Sequence, residues 1–174
     1  MKLIMVRRDE ENQETDPPKD RRSGNITDDI AEGAVTGQSD RQERMDLTVR
    51  TLDNTIDLQG YQAEWEALRK SCGGSIFCSF DWAIEWLRHF DKESLPRIIM
   101  VEENGALVGL APLVLTEHHS MGVKVKRLSL VGDGVGVAEL YDLGVLVSED
   151  REDILDKMVQ EIGRLDWNVL EFNR

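Results

Sequence analysis

The sequence predicts an α/β (α+β) protein in which one mixed, mostly antiparallel sheet is flanked by helices. Apolar runs of strand length recur between residues 47 and 172, several of them alternating or rich in β-branched residues. Two amphipathic helices follow the first of these runs, and a third precedes the last. Asn104-Gly105 separates two of the runs, and Asn-Gly is the strongest local signal for an antiparallel hairpin.

Size and charge limit the classes of function. A chain of 174 residues is long enough for one domain, and its 34 acidic and 21 basic residues give a net charge of −13. A nucleic acid or an anionic membrane surface needs a positively charged partner, so we predict that this chain binds neither. The sequence has no apolar run of about 18 residues, so we expect no transmembrane span.

The cysteines and the N-terminus favour a cytoplasmic location. Cys72 and Cys78 are the two cysteines, and they form no CxxC pair or Cys/His cluster. We therefore expect no metal site and two buried thiols, with a disulfide between them as the alternative. The apolar run after Met1 is too short for the core of a signal peptide.

Composition divides the chain at residue 46. Residues 1–46 contain no aromatic side chain and are dominated by charged and small polar residues. Such a segment buries too little apolar area to offset the entropy lost on ordering, so we predict a disordered acidic and polar tail. We predict that residues 47–174 form the folded domain.

The first half of that domain should be a strand followed by two helices. Residues 47–52 alternate as a strand, and Tyr61, Trp65, Leu68 and Cys72 then recur on one helix face until Gly73-Gly74 ends the helix. Residues 75–90 are predicted to be the entry to the second helix and then the helix itself, with Ser79 as its N-cap. Its aromatic face predicts a core helix, and the alternative is that part of this face lines a ligand groove.

The second half predicts strands, a long helix and a final strand. Strands are expected at residues 96–102, 107–116, 123–131 and 140–147, with Pro112 at a bulge or sheet edge because it lacks a backbone donor. Ser148 is the predicted cap of the long helix, and Trp167–Phe172 is the last strand. The apolar stripe of that helix is predicted to comprise Ile154, Leu155, Met158, Val159, Ile162 and Leu165.

This element order resembles the GNAT acyltransferase fold. Within that fold the chain resembles the acetyltransferase-like family associated with cellulose biosynthesis (the CelD/BcsL type), whose relatives are the FemAB-like aminoacyltransferases. The resemblance begins near Leu47 and extends to the end of the chain. The residues that carry it are Trp65-Glu66-Ala67-Leu68, Ser75 to Trp82 with Trp86, Gly105 to Leu113, Arg127 to Gly132, and Asp166 to Leu170.

The resemblance implies a GNAT-like acyltransferase (acetyltransferase) that uses acetyl-CoA or another acyl-CoA, without a metal, on a polysaccharide or cell-envelope precursor. Members of that family typically have two GNAT-like halves, and this chain resembles the first half only. It therefore implies a domain truncated at its C-terminus, whose partner is a second GNAT half or a second copy in a homodimer. Activity of the chain by itself stays open. The alternative function is a non-enzymatic interaction module that uses an exposed sheet edge, at the closing strand, and an aromatic surface.

Few residues are candidates for chemistry. The resemblance places Tyr141 and Asp142 near the groove, where a phenol and a carboxylate could act as acid and base, although a structural tyrosine is the plainer interpretation. The glycine-rich string from Leu130 to Gly136 could cradle a phosphate, but no helix follows it in the predicted pattern, which favours a plain loop.

Three further features have structural explanations. His118 and His119 are predicted to be exposed residues of a loop. Cys78 has no identifiable base beside it, which a nucleophilic thiol needs. The acidic run Glu149 to Asp153 is better explained as a solvated surface than as a metal site.

Overall fold

The computed structural model describes residues 2–6, 46–89, 94–120, 122–133, 144–149 and 151–173. These residues form seven strands and four α-helices. The strands are β1 (Lys2–Val6), β2 (Leu47–Leu52), β3 (Leu95–Glu103), β4 (Ala106–Ser120), β5 (Val123–Leu130), β6 (Leu146–Val147) and β7 (Val169–Asn173). The helices are α1 (Thr55–Leu58), α2 (Gln62–Ser71), α3 (Phe80–His89) and α4 (Glu152–Arg164), and short 3₁₀ turns occur at Gln59–Tyr61 and Ile76–Cys78.

The predicted fold class, a mixed and mostly antiparallel sheet flanked by helices, is confirmed. The strand order is β1-β7-β5-β4-β3-β2, and β6 pairs with β4 beside this path. Every pairing is antiparallel except that of β5 with β7, which is parallel. A parallel pair needs a crossover connection, and α4 lies in the connection between these two strands.

Strands β3 and β4 form the central hairpin of the sheet. Asn104 and Gly105 both adopt positive φ angles, 52° and 81°, which is the backbone that a two-residue hairpin turn requires. Residues of β3 alternate between two apolar cores, since Ile98 and Met100 pack on one face of the sheet while Ile99 and Val101 pack on the other. This explains the continuous apolar sequence, which is typical of a strand covered on both faces.

Pro112 lies inside the central strand β4, not at a sheet edge. It pairs with Ile98 of β3 on one side, and on the other its carbonyl accepts a 2.8 Å hydrogen bond from the Val131 amide. On that second side β4 changes partner, because Gly109 and Leu110 pair with β6 whereas residues from Leu113 onward pair with β5. The proline therefore occupies the gap between two partners, where no strand requires its missing N–H.

The first core lies between the sheet and helices α1–α3. It is built from the apolar sides of these helices and the residues of β3, β4 and β6 that point toward them. Trp65 and Trp86 are buried there, with Phe80 packed edge-on against Trp65 at a centroid distance of 5.6 Å. The aromatic helix is thus a core helix, as its apolar face predicts; Phe90, the last residue of that predicted face, lies outside the described residues.

The second core lies between the opposite face and α4. Ile154, Met158 and Ile162 recur at steps of four along α4 and are buried against β3, β4 and β5. The predicted stripe was too wide, because Leu155 and Val159 face outward and are exposed. The helix also begins later than predicted, since the Ser148 amide still bonds to Val108 of β4 and Glu149 has a positive φ of 58°.

Strand β1 corrects two predictions. Residues Lys2–Val6 form a strand that pairs along its full length with β7, so this part of the predicted disordered tail is ordered. The pairing joins residues from opposite ends of the chain, and no local pattern predicts it. Residues 7–45 of that tail lie outside the described residues. Because β7 lies between β5 and β1, the closing strand does not present the free edge that we expected of an interaction module.

Two other expectations concern the described part of the chain. Cys72 and Cys78 do not form the disulfide that was the alternative; Cys78 is buried, whereas Cys72 is only partly buried and donates to the Val147 carbonyl at 3.0 Å. None of the described helices is long and apolar enough to cross a membrane.

Gly109 allows α4 to approach the sheet, and its replacement should destabilise the protein. A Cβ atom at this position would lie 2.5 Å from Ile154 Cγ2 and 2.5 Å from Met158 Cε. We expect Gly109→Ala to lower the free energy of unfolding by about 1–3 kcal/mol through overpacking, measured by urea denaturation.

Gly163→Ala is the matched control on α4 itself. A Cβ at this position meets nothing within 4 Å. Alanine is the better helix former, so this variant should gain up to about 1 kcal/mol. Equal stability of the Gly109→Ala variant and the wild type would contradict the close packing of α4 on β4.

Candidate functional site

The start of α3 is held by side chains of α2. Trp65 donates from Nε1 to the Cys78 carbonyl at 2.8 Å, and Glu66 Oε1 accepts from the Phe80 amide at 3.0 Å. Ser79 is the N-cap, as predicted, because its hydroxyl accepts from the Trp82 amide at 3.3 Å. Arg69 pairs with Glu66 at 2.9 Å and donates to the Gly74 carbonyl at 2.8 Å. These bonds fix the angle between the two helices.

Glu66 is the charged centre of this contact. Partial burial favours its neutral form, but hydrogen bonds from Arg69 and the Phe80 amide, together with the positive charges of Arg69 and Lys70, lower the pKa of this carboxyl below its ordinary value. The carboxylate is therefore the form that the folded protein stabilises.

Two surface grooves flank α3. The larger, of about 590 Å³, is lined by Gln59, Gln62, Phe80, Asp81, Ile84, Glu85 and Arg88. The smaller, of about 420 Å³, is lined by Glu66, Arg69, Ile76, Ser79, Asp81, Trp82 and Glu85.

Of the predicted aromatic face only Trp82 lines one of these grooves among the described residues, whereas Ala83, Trp86 and Leu87 are buried in the first core. The acidic side chains shared by both grooves have partners, since Gln62 donates to Asp81 at 3.2 Å and Glu85 pairs with Arg88 at 2.9 Å and His89 at 3.1 Å. Asp81 and Glu85 are thus both engaged by side chains of the protein itself.

A different group of polar side chains collects on the sheet. Alternation along the strands and the pairing register place Thr116 and His118 of β4, Arg127 and Ser129 of β5, and Glu171 of β7 on one face. We call these five residues the polar cluster. Val114 and Val131 share their side of β4 and β5 and belong to the first core, so the cluster lies on the face that carries α1–α3.

The cluster is buried in part, with Arg127 half-buried and His118 exposed, and its members are partly bonded to one another. Thr116, Ser129 and Glu171 are at most 9% exposed. Arg127 Nη1 donates to Glu171 Oε2 at 3.3 Å, and Thr116 Oγ1 shares a 3.1 Å hydrogen bond with His118 Nε2 and reaches the Arg127 carbonyl at 3.5 Å. In the pairing register Ser129 lies directly beside Glu171. An ion pair, two hydroxyls and an imidazole are thus held by three adjacent strands.

Two polar atoms of the cluster lack partners within the described part of the protein. The Ser129 hydroxyl and Arg127 Nε are both buried, and no described residue forms a hydrogen bond with either of them. A buried polar atom without a partner costs about 1–3 kcal/mol, so such atoms in a native protein require an explanation. Nothing else in the described chain combines buried charge, hydroxyls and unbonded donors in this way, and the polar cluster is our candidate functional site.

Sequence reasoning identified only His118 among these residues. His118 and His119 are exposed as predicted, but they belong to strand β4, which continues to Ser120 where a loop was expected. The sequence does contain a signal for two of the other residues, because a polar residue stands between apolar neighbours in Leu128-Ser129-Leu130 and in Leu170-Glu171-Phe172. The register that joins these residues across strands is not readable from the sequence.

The other candidate site residues named from the sequence lie mostly outside the described part of the chain. Tyr141 and Asp142 lie outside the described residues, as does the glycine-rich string from Gly134 onward. Asp133, in the described part of that string, is a buried carboxyl after a turn at Gly132. Among the described residues, no group of three or more His, Cys, Asp or Glu side chains could hold a metal ion.

The N-terminus of α4 does not fit an anionic ligand. Asp153 accepts from backbone amides of the first turn, and Arg151 beside it is bound to Asp153 at 2.7 Å and to Glu103 at 2.8 Å. These hydrogen bonds raise the pKa of Arg151 and lower that of Asp153, so the ion pair persists at neutral pH. Glu149 and Glu152 add further negative charge. This helix terminus is therefore poorly suited to the pyrophosphate of CoA, which the sequence resemblance implies as part of the cofactor.

Comparison with known proteins finds partial similarities to solved structures. No protein-family model matches the chain, and no curated protein matches it. A C-terminal domain (DUF2156) of a protein named as a lysylphosphatidylglycerol synthetase, from Agrobacterium fabrum, is similar with a TM-score of 0.47 and 10% identity, over 76% of this chain and 37% of that one. A ribosomal-protein-alanine N-acetyltransferase from Brucella melitensis biovar Abortus 2308 has a TM-score of 0.38 and 14% identity, over 74% of this chain and 80% of its own.

These identities carry no information about ligands. This chain spans 37% of the length of the Agrobacterium structure.

The contact at Glu66 should make stability depend on pH. Because the pKa of Glu66 is lowered in the folded protein, its charge stabilises the fold above the unfolded pKa, and this contribution is lost as pH falls through the folded pKa. Glu66→Gln retains an acceptor for Phe80 but loses the charge. We expect it to cost about 1 kcal/mol at pH 7 and progressively less from about pH 5 downward, measured by urea denaturation across that range.

Glu64→Gln is the control for this experiment. Glu64 is exposed on the same helix, so its replacement should leave the stability close to that of the wild type at every pH. A cost of Glu66→Gln that is the same at pH 7 and at pH 3 would show that the charge of Glu66 contributes nothing.

Proposed function

We propose that the chain is a GNAT-like acyltransferase domain, specifically the N-terminal half of an acyltransferase that acts on a polysaccharide or cell-envelope precursor. The observation that carries the fold assignment is the connectivity, in which a strand, helices, an antiparallel hairpin and a helical crossover lead to a final strand parallel to β5. This order agrees with the one on which the sequence resemblance to the cellulose-biosynthesis family rests. The acceptor class is supported by that resemblance alone.

The acyl donor in this proposal is acetyl-CoA or another acyl-CoA. In the described residues, the helix terminus that follows β6 carries Asp153 and Glu152, which repel a phosphate. Arg151 at the same place is already paired with Glu103 and Asp153 and is not available to bind one. The proposal therefore assigns the CoA phosphates to a second GNAT half or to a second copy of this chain. In that arrangement this half contributes the sheet and the polar cluster, and it has no transferase activity alone.

Calorimetry with acetyl-CoA tests this division of roles. We expect the monomeric chain to bind acetyl-CoA more weakly than about 1 mM, because no described group holds the phosphates. Micromolar binding by a chain that sediments as a strict monomer would contradict the proposal that the domain is incomplete. Micromolar binding by a chain that sediments as a dimer would instead place the second half in a second copy.

A charge variant tests the reason for weak binding. The double variant Glu149→Gln/Glu152→Gln removes two carboxylates near the start of α4 and keeps the Arg151 ion pairs. Removing two negative charges from a helix N-terminus should strengthen the binding of inorganic pyrophosphate about three- to tenfold. Unchanged pyrophosphate affinity would show that these acids are not what excludes phosphate.

A further inference from the structure

Ser129 is the most deeply buried polar side chain of the sheet for which the described residues offer no partner. It is 1% exposed, and its hydroxyl forms no hydrogen bond with any described residue. The flanking residues Leu128 and Leu130 point to the second core, so Ser129 itself faces the polar cluster. An alanine or valine at this position would leave no hydroxyl unpaired. The serine hydroxyl is therefore best explained by a bound ligand that accepts its hydrogen bond.

Arg127 provides an independent observation at the same place. It lies two residues before Ser129 on the same face of β5, and its Nη1 reaches Glu171, the residue that pairs with Ser129 across the sheet. Its Nε is buried and has no partner among the described residues. A guanidinium N–H can only donate, so whatever completes this site must supply an acceptor.

The surrounding charge selects the kind of acceptor. Arg127 is already paired with Glu171, so the two charges cancel within the cluster. A carboxylate or phosphate bound to Arg127 Nε would lie close to the Glu171 carboxylate and be repelled by it. A neutral oxygen with lone pairs, by contrast, can accept from both Arg127 Nε and Ser129 Oγ without introducing a charge.

We propose that the polar cluster binds the carbonyl oxygen of a neutral acyl compound through Arg127 Nε and the Ser129 hydroxyl. Two sources share this chemistry, a thioester of the kind an acyl donor carries and an amide of the kind an N-acylated acceptor carries. The ligand class deepens the proposed function and rests on it for the choice of the thioester. The carbonyl site itself rests on the two buried donors.

The Nε–H resonance of Arg127 reports directly on this site. In the ¹⁵N-labelled full chain it is identified as the arginine Nε signal that is lost in Arg127→Lys. We expect a saturable shift of this signal on titration with S-methyl thioacetate or with N-methylacetamide. Ethyl methyl sulfide, which lacks the carbonyl, should produce no shift, and acetate should bind at least several-fold more weakly because of Glu171.

Two serine variants separate binding from folding. Ser129→Ala should weaken the response to the carbonyl probes tenfold or more, while its melting temperature in the absence of a probe stays equal to or rises above that of the wild type. Ser71→Ala, which removes a hydroxyl that donates to the Leu68 carbonyl on α2, should leave the response unchanged. A large drop in melting temperature for Ser129→Ala would mean that the hydroxyl has a structural partner, and it would overturn the proposal.

The outcomes distinguish this proposal from the proposed function. No shift of the Arg127 signal with either carbonyl probe, or an equal shift in Ser129→Ala, overturns the carbonyl site and leaves the half-domain function standing. A shift with the amide alone retains the site and assigns it to the acceptor side. Micromolar acetyl-CoA binding by the monomer overturns the incomplete half-domain, while the Arg127 signal still decides the carbonyl site.

Discussion

The burial of β3 and β4 on both faces is the constraint on which the rest of this domain depends. Ile98 and Ile99 are adjacent in sequence, yet each is completely buried in a different core. A strand with two apolar faces must be covered twice, because each exposed aliphatic side chain would forgo about 1.5–3 kcal/mol of burial. The helices α1–α3 cover one face and α4 covers the other, which makes the protein a three-layer structure with the hairpin at its centre.

The same strand β4 also creates the polar cluster. Near Pro112, β4 changes its pairing partner from β6 to β5. The three helices lie on the side of β2 and β6, since α1 contacts β2 and α2 contacts β4 and β6. Beyond Val114 this face carries Thr116 on β4, with Arg127 and Ser129 of β5 and Glu171 of β7 beside it. Polar groups are therefore concentrated beyond the part of the sheet that the helices cover, and Thr116, Ser129 and Glu171 among them are buried.

The charged side chains at the surface differ in their arrangement from those of the polar cluster. Several acidic groups around α3 and α4 are engaged with arginines at short range, namely Glu66 with Arg69, Glu85 with Arg88, and Glu103 with Arg151. These pairs orient helices at the surface and offer no positive site to a phosphate. The cluster on the sheet is different, because its one ion pair is neutral overall and the donors beside it are unbonded within the described chain. Recognition there would depend on hydrogen bonding and not on net charge.

The sequence by itself determined the elements that depend on local patterns. The Asn104-Gly105 turn, the Ser79 cap and the aromatic face of α3 follow from turn chemistry, capping and helical periodicity, each of which acts over a few residues. It also determined the fold class, because the order of strands and helices leaves few ways to bury both faces of the hairpin.

Only the tertiary structure decided how distant segments meet. The pairing of β1 with β7, the place of Pro112 between two partners and the late start of α4 depend on hydrogen bonds between residues far apart in sequence. Ser129 and Glu171 stand side by side through strand register alone, although 42 positions separate them. A shift of one residue would turn every side chain to the other face, and that register is set by the packing of both cores and by no local signal.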